Sequence, residues 1–415
     1  MAAGIGLIPN LGDDELLASG DPPPPRPGLA TPARLWSLLF GAAARTLALA
    51  PGDKGQEESA WPEALGPRPD APVFDWLPED ALVPWISTPG LWARFETSGR
   101  PIAATRPDIV ARVHDKAFAH RVALAEGLLP APLRDLVSIF DPGELRDADA
   151  AVARMTGALA SWPEPLSRSF TLKPRFGTSG RGRVAGSAGE ADTPAIRGAL
   201  PRLAERGGAL LEPWFARSRD LSAQLFVGDD GRITLLGTLE QIVAPSGLFL
   251  GHRGEIDSRG RVFSHGDFEE SLREAAPLVA IAAAAEGYRG PCGVDAFALR
   301  LSGATDDGDP EREILRPVVE LNARFTMGIV AIGLVRRALD RVRAPLGLEP
   351  GCRRAFLFAL DAPSEGWEAA AASAGPGALL LPLDHAGESA RPALLFAASS
   401  DRLDEAAARI TGAKR

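Results

Sequence analysis

In VVELNARFTMG (318–328), Glu320, Asn322 and Arg324 occupy every second place. Alternate residues of a strand share one face. A carboxylate, an amide oxygen and a guanidinium would then point at one spot, with Val319, Leu321 and Ala323 on the apolar side. GVDAFALR (293–300) places a second carboxylate, Asp295, on the preceding strand, where hairpin pairing brings it to the same spot. Hard divalent cations such as Mg²⁺ prefer oxygen donors of this kind together with nucleotide phosphates. Arg324 suits a transferring phosphoryl group or an acyl phosphate. An edge strand with one solvated face alternates in the same way, and a structural salt-bridge cluster would use the same residues. Composition bears on the choice: the chain has two asparagines, Asn10 and Asn322, and four lysines, Lys54, Lys116, Lys173 and Lys414. Asn or Lys at a chemically useful place is less apt to be filler here.

FTLKPRFGTSGRGRVAG (170–186) reads as strand, glycine loop, strand. Lys173 ends the first strand. Gly177 and Gly180 let backbone N–H groups approach phosphate oxygens, Thr178 and Ser179 add hydroxyl donors, and Arg181 and Arg183 add charge. The loop is not a Walker A loop, since GxxxxGK[ST] is absent; an ordinary flexible hairpin has the same composition. LLEPWFARSRDLS (210–222) is a buried strand running into a hinge. Backbone groups from Glu212 to Trp214 are placed to read a base, and Glu212 or Asp220 to bind sugar hydroxyls.

These residues need elements to hold them. PDIVARVHDKAFAHRVALAEG reads as a helix that carries Lys116 and stops at Gly127. His114 and His120 on it suit surface or capping roles. LSAQLFVGDDGRITLLGTLEQIV is a hairpin with Asp-Asp-Gly at its tip, and SLREAAPLVAIAAAAEGY a helix. SGATDDGDPERE is an acidic hairpin tip without the register of a calcium loop. Upstream, GIGLIPNL is a short strand and ARLWSLLFGAAARTLAL a helix. Residues 20–31 and 50–73 read as loops, and LVPWISTPGLW as core packing, with an acceptor pocket as the second reading. The tail, 346–415, contains apolar strands and a final helix. His252 and Arg253 lie in a glycine-bearing segment after the hairpin, where structural roles lead and contact with an acceptor is second.

The net charge of −9 argues against a broad nucleic-acid surface. Cys292 and Cys352 are the only cysteines, which points to a reduced compartment and excludes a cysteine-only zinc site. No secretory signal or membrane span is visible, so the expectation is a cytoplasmic protein without a membrane partner.

The order of these pieces resembles the ATP-grasp superfamily, the fold of biotin carboxylase, carbamoyl-phosphate synthetase and the D-alanine–D-alanine ligases. The resemblance covers about 106–340. It implies an α+β fold: a small N-terminal α/β pre-grasp domain (1–105), a grasp core of two subdomains with antiparallel sheets (106–345; lid about 116–210, large subdomain 211–345), and a short α/β cap (346–415). Lys116 and Lys173 match the family's phosphate-binding lysines. Asp295, Glu320 and Asn322 match its metal ligands, and Arg324 its catalytic arginine. The implied cofactors are ATP and Mg²⁺ (or Mn²⁺). The implied reaction activates a carboxylate as an acyl phosphate for attack by an amine or another nucleophile, with small-molecule or peptide substrates. A small-molecule kinase and a nucleotide-binding regulator are the alternatives. Asp295 stands where many members have Glu, and no residues identify the acceptor.

Overall fold

The structure is a computed structural model that describes residues 4–18, 28–42, 44–47, 61–78, 80–164, 166–177, 180–244, 248–300, 313–361, 364–384 and 390–411. Thr178, Ser179 and nearly all of the acidic turn after Arg300 lie outside the described residues.

Three sheets order the chain. The N-terminal sheet has β1 (Gly6–Ile8) at its centre, flanked in parallel by β2 (Arg45–Thr46) and β3 (Leu82–Pro84). The expected helix over 33–49 is shorter. It spans Ala30–Ser37, and the chain then turns at Gly41, where a Cβ would collide with the Asp70 carbonyl. That turn returns the chain alongside β1.

The second sheet is antiparallel, with β4 (Ser138–Phe140), β7 (Ala209–Pro213), β5 (Ser169–Pro174) and β6 (Val184–Ser187) in that spatial order. Helices Ala148–Ser161 and Pro194–Glu205 cover it with a core of their own around Phe140, Phe170, Met155 and Leu200.

The third sheet has nine strands. β8 (Arg217–Val227) and β9 (Ile233–Val243) are the expected hairpin, followed by β10 (Phe249–Asp257) and β11 (Val262–Phe263). β12 (Gly290–Arg300) lies against β8 and carries β13 (Glu313–Asn322) on its other edge. The tail continues the same sheet: β14 (Arg353–Ala359) pairs with β10, then come β16 (Ala393–Ala397) and β15 (Leu379–Pro382). Ladders are antiparallel except for one parallel bridge between β11 and β9.

The helix read through Lys116 is two helices. Pro107–His114 ends at Asp115, whose ψ of 124° leaves the helical region, and whose carboxylate accepts from the Ala117 N–H at 2.9 Å to cap Lys116–Ala125. This second helix packs against β13. Lys116 thus stands beside the larger sheet, while the smaller sheet takes its strands from Ser138 to Pro213. The buried helix Met327–Val342 starts where Thr326 Oγ1 accepts from the Ile329 N–H at 3.1 Å. Phe325 sits in an aromatic cluster, with its ring centroid 5.3 Å from that of Trp36, so the segment after β13 is anchored on both sides of Arg324. No helix among the described residues is long and apolar enough to cross a membrane.

The join between core and tail is close. A Cβ on Gly251 would collide with the Phe358 carbonyl of β14. Gly251→Ala should destabilise the chain by ~1–3 kcal/mol, the usual range for overpacking. The urea midpoint of unfolding would report it, and an unchanged midpoint would contradict a tight β10–β14 seam.

Candidate active site

A cavity of about 500 Å³ opens between the four-stranded sheet, the nine-stranded sheet and the N-terminal unit. This is an ordinary size for a small-molecule site. Its floor is the polar end of β12 and β13. Asp295 and Glu320 are directly opposed in the ladder. Burial and the neighbouring negative charge of Glu320 push the Asp295 carboxyl well above the usual carboxylate range. Burial would raise Glu320 too, but the Lys116 and Lys173 charges outweigh it and hold that carboxyl low. Asn322 donates from Nδ2 to Asp295 Oδ2 at 3.0 Å. Gln241 of β9 donates to Asp295 Oδ1 at 2.8 Å.

Both lysines reach this floor from separate elements. Lys116 Nζ lies 3.2 Å from Glu320 Oε2 and donates to the Gly177 carbonyl at 2.9 Å. Lys173, at the end of β5, is ion-paired with Glu212 of β7. Burial lowers the Lys173 pKa despite that partner. Gly180, Arg181 and Arg183 line the cavity beside Gly177.

The hinge departs in detail from its reading. Glu212 is 2 % exposed and is held between Lys173 and Arg316, whose Nη1 donates to it at 2.9 Å. Burial would raise its pKa, but these two cations bring it down to about 2. Its oxygens are thus committed to charge pairs. Pro213 has no N–H, and that of Trp214 donates to the Ser169 carbonyl at 3.0 Å, so this hinge presents carbonyl acceptors. The Trp214 ring lines the cavity with the Arg183 guanidinium stacked 4.3 Å from its centroid. Asp220 is paired with Arg217 at 2.5 Å.

Arg324 is not on the strand. β13 ends at Asn322, and the Arg324 N–H turns back to the Asn322 carbonyl at 2.9 Å. Its Nη2 donates to Asn322 Oδ1 at 2.9 Å, while its Nε donates to Asp14 Oδ1 at 2.5 Å. Asp14 was not singled out from the sequence. It comes from the N-terminal unit, is 1 % exposed, and also accepts from His114 Nε2 at 3.1 Å. His114 Nδ1 in turn accepts the Ala323 N–H at 3.1 Å. His114 is therefore a buried link, not a surface or capping residue, and His120 is buried as well. Burial would raise the Asp14 pKa; Arg324 and His114 together hold it well below the usual carboxylate range. Arg253 pairs with Glu240 and Asp404 and is absent from the cavity lining, whereas His252, on β10, lines it.

Among solved structures, the chain is similar to a biotin carboxylase complex with β,γ-ATP from Campylobacter jejuni, at 12% identity and a TM-score of 0.51, over 97% of this chain and 89% of that one. It is similar to an N5-carboxyaminoimidazole synthase from Aspergillus clavatus, solved with ADP and 5-aminoimidazole ribonucleotide, at 14% identity and a TM-score of 0.51, over 99% and 97% of the two chains. The chain has the ATP-grasp fold. No protein-family model matches the sequence, and no curated protein does.

Within the ATP-grasp frame, the residues at the floor suit a divalent cation. Two carboxylates and an amide form a hard-oxygen donor set, and a cation between Asp295 and Glu320 would offset the charge that burial and their mutual proximity disfavour. Asp295, Glu320 and Asn322 would hold it. Because burial and the Glu320 charge raise the Asp295 pKa, cation binding should be coupled to release of its proton. Affinity for Mn²⁺ alone should therefore rise with pH across the neutral range, as read by calorimetry; a pH-independent affinity would place the cation elsewhere. A second expectation concerns Asp14. Asp14→Asn removes the charge that orients Arg324, so turnover should fall about tenfold or more, as for other orienting partners of site residues, with ATP affinity little changed. Equal loss of both would make Asp14 a folding residue only.

Proposed function

We propose that the chain is an ADP-forming, ATP-dependent ligase that activates a carboxylate as an acyl phosphate for attack by an amine or another nucleophile. The observation that carries this reading is convergence. Lys116, Lys173, Asp295, Glu320, Asn322 and Arg324 come from four separate segments and meet at one cavity. The similar structures named above were solved with nucleotides, which supports ATP as the phosphoryl donor.

Lys116 and Lys173 offset the charge of the phosphates, and the glycine loop around Gly177 and Gly180 lets the backbone approach them. Mg²⁺ or Mn²⁺ on Asp295, Glu320 and Asn322 would neutralise charge on the β- and γ-phosphates. The substrate carboxylate oxygen attacks the γ-phosphorus and the bond to the β,γ-bridging oxygen breaks, giving acyl phosphate and ADP. Arg324, held by Asp14 and Asn322, faces the charge that spreads over the transferring group. The nucleophile then attacks the acyl carbon and phosphate leaves. The two-cysteine composition suits a reduced, cytoplasmic setting for this chemistry.

The test is a screen of carboxylic acids with ATP, Mg²⁺ and hydroxylamine. An acyl hydroxamate formed together with ADP and phosphate is expected, and Lys173→Ala should abolish it by weakening ATP binding. A stable phosphorylated alcohol would instead identify a kinase, and ATP binding without turnover across the screen would identify a regulator.

A further inference from the structure

The cavity lining is mixed in character. Lys116, Lys173, Arg183 and Arg217 are among its charged members. Two groups of apolar residues accompany them. Leu11, Leu29, Pro32 and Trp85 come from the N-terminal unit, and Val243 and Phe249 from the end of the β9–β10 ladder. Backbone contacts fix both walls. The Phe325 N–H donates to the Trp85 carbonyl at 3.1 Å, which seats Trp85 beside the residue that follows Arg324. Val243 is paired directly with Phe249.

Four large hydrophobic residues are exposed among the described ones: Leu124, Trp214, Leu248 and Ile281. Two of them line this cavity: Leu248, beside Phe249, and Trp214, which lies under the Arg183 guanidinium at the hinge after β7. A single exposed leucine is ordinary, but apolar surface gathered in one concavity marks a ligand site. The neighbouring titratable groups do not change the picture. Asp14 is engaged by Arg324 and His114. His252 is 3 % exposed, and burial brings its pKa down to about 3, so it is neutral.

We propose that these two apolar walls seat the acid substrate, and that the substrate is a carboxylic acid with an apolar body, aryl or branched alkyl. Its carboxylate lies at Arg324 and its body lies between Leu29 and Trp85 on one side and Val243 and Phe249 on the other. The proposal rests on the ligase reading for the fate of the carboxylate, but not for the binding itself. A second charged group on the acid would be set against leucine and tryptophan without a partner, which is costly. Apolar walls also keep water from an acyl phosphate.

The experiment measures binding of four probes to the full chain with Mg–ADP present: 3-phenylpropanoate, 4-methylpentanoate, succinate and glycolate. The first two should bind about tenfold or more tightly than the last two, the discrimination a few buried methylenes provide. Leu29→Asp should remove that preference with Mg–ADP affinity unchanged. Leu29 is half-buried against the core, so the melting temperature of each variant is read as well, and unchanged Mg–ADP affinity shows that the variant is folded. Leu29→Met should keep the preference. Equal affinities, a preference for the polar acids, or no binding by any probe would overturn the proposal. Hydroxylamine trapping separates the two readings. Apolar acids that bind but yield no hydroxamate would leave the subsite standing and remove the ligase; hydroxamate from polar acids alone would do the reverse.

Discussion

Two carboxylates face each other at the end of one ladder. Asp295 and Glu320 are directly paired, and two like charges in a desolvated place cannot both persist without compensation. The structure answers with cations from elsewhere in the chain. Lys116 comes from a helix, and Lys173 from the other sheet. Arg324 lies just past the strand and is held by a third carboxylate, Asp14, from the N-terminal unit. The helix, the smaller sheet and the segment after β13 each bring a cation to the pair, and the N-terminal unit brings the carboxylate that holds Arg324. The site is thus also part of what holds the two sheets and the N-terminal unit together.

The compensation runs in layers. Lys173 touches Glu212, and Glu212 also touches Arg316. His120 sits buried near this group, and Arg316 and burial keep it neutral. Truncating one member of such a chain leaves its partner buried and unpaired, which costs more than the pair contributes. Conservative changes that keep shape are therefore more informative at this site than alanine.

Local pattern made much of this legible. The glycine loop between β5 and β6, the β8–β9 hairpin and the β12–β13 pair all follow from alternation and turn residues, and these neighbours in sequence are neighbours in space. The α+β class and the antiparallel core sheets were what the resemblance carried by that order implied. Asp14 was not legible, because its partner Arg324 is 310 residues away and no local pattern marks a residue whose role is fixed by docking. The direction of Arg324 was misread for a related reason: alternation suggested a strand face, but β13 ends at Asn322 and a backbone turn decides where Arg324 points. The break at Asp115 was hidden inside good helical spacing, since a single capping carboxylate interrupts a periodic pattern without changing it.

The tail has a consequence for solubility. β10 offers its outer edge over nine residues, Phe249–Asp257, and β14 covers seven positions of it. The sheet then runs out through β16 to β15, only four residues long and ending in Pro382. A short terminal strand closed by proline is a poor template for further pairing. A chain lacking its last sixty or so residues would end the sheet at β10, a long strand with open backbone groups and apolar neighbours. Such a fragment is predisposed to pair edge to edge with copies of itself. The last three strands therefore cover that edge as well as complete the sheet, and a nascent chain exposes it until they emerge and dock.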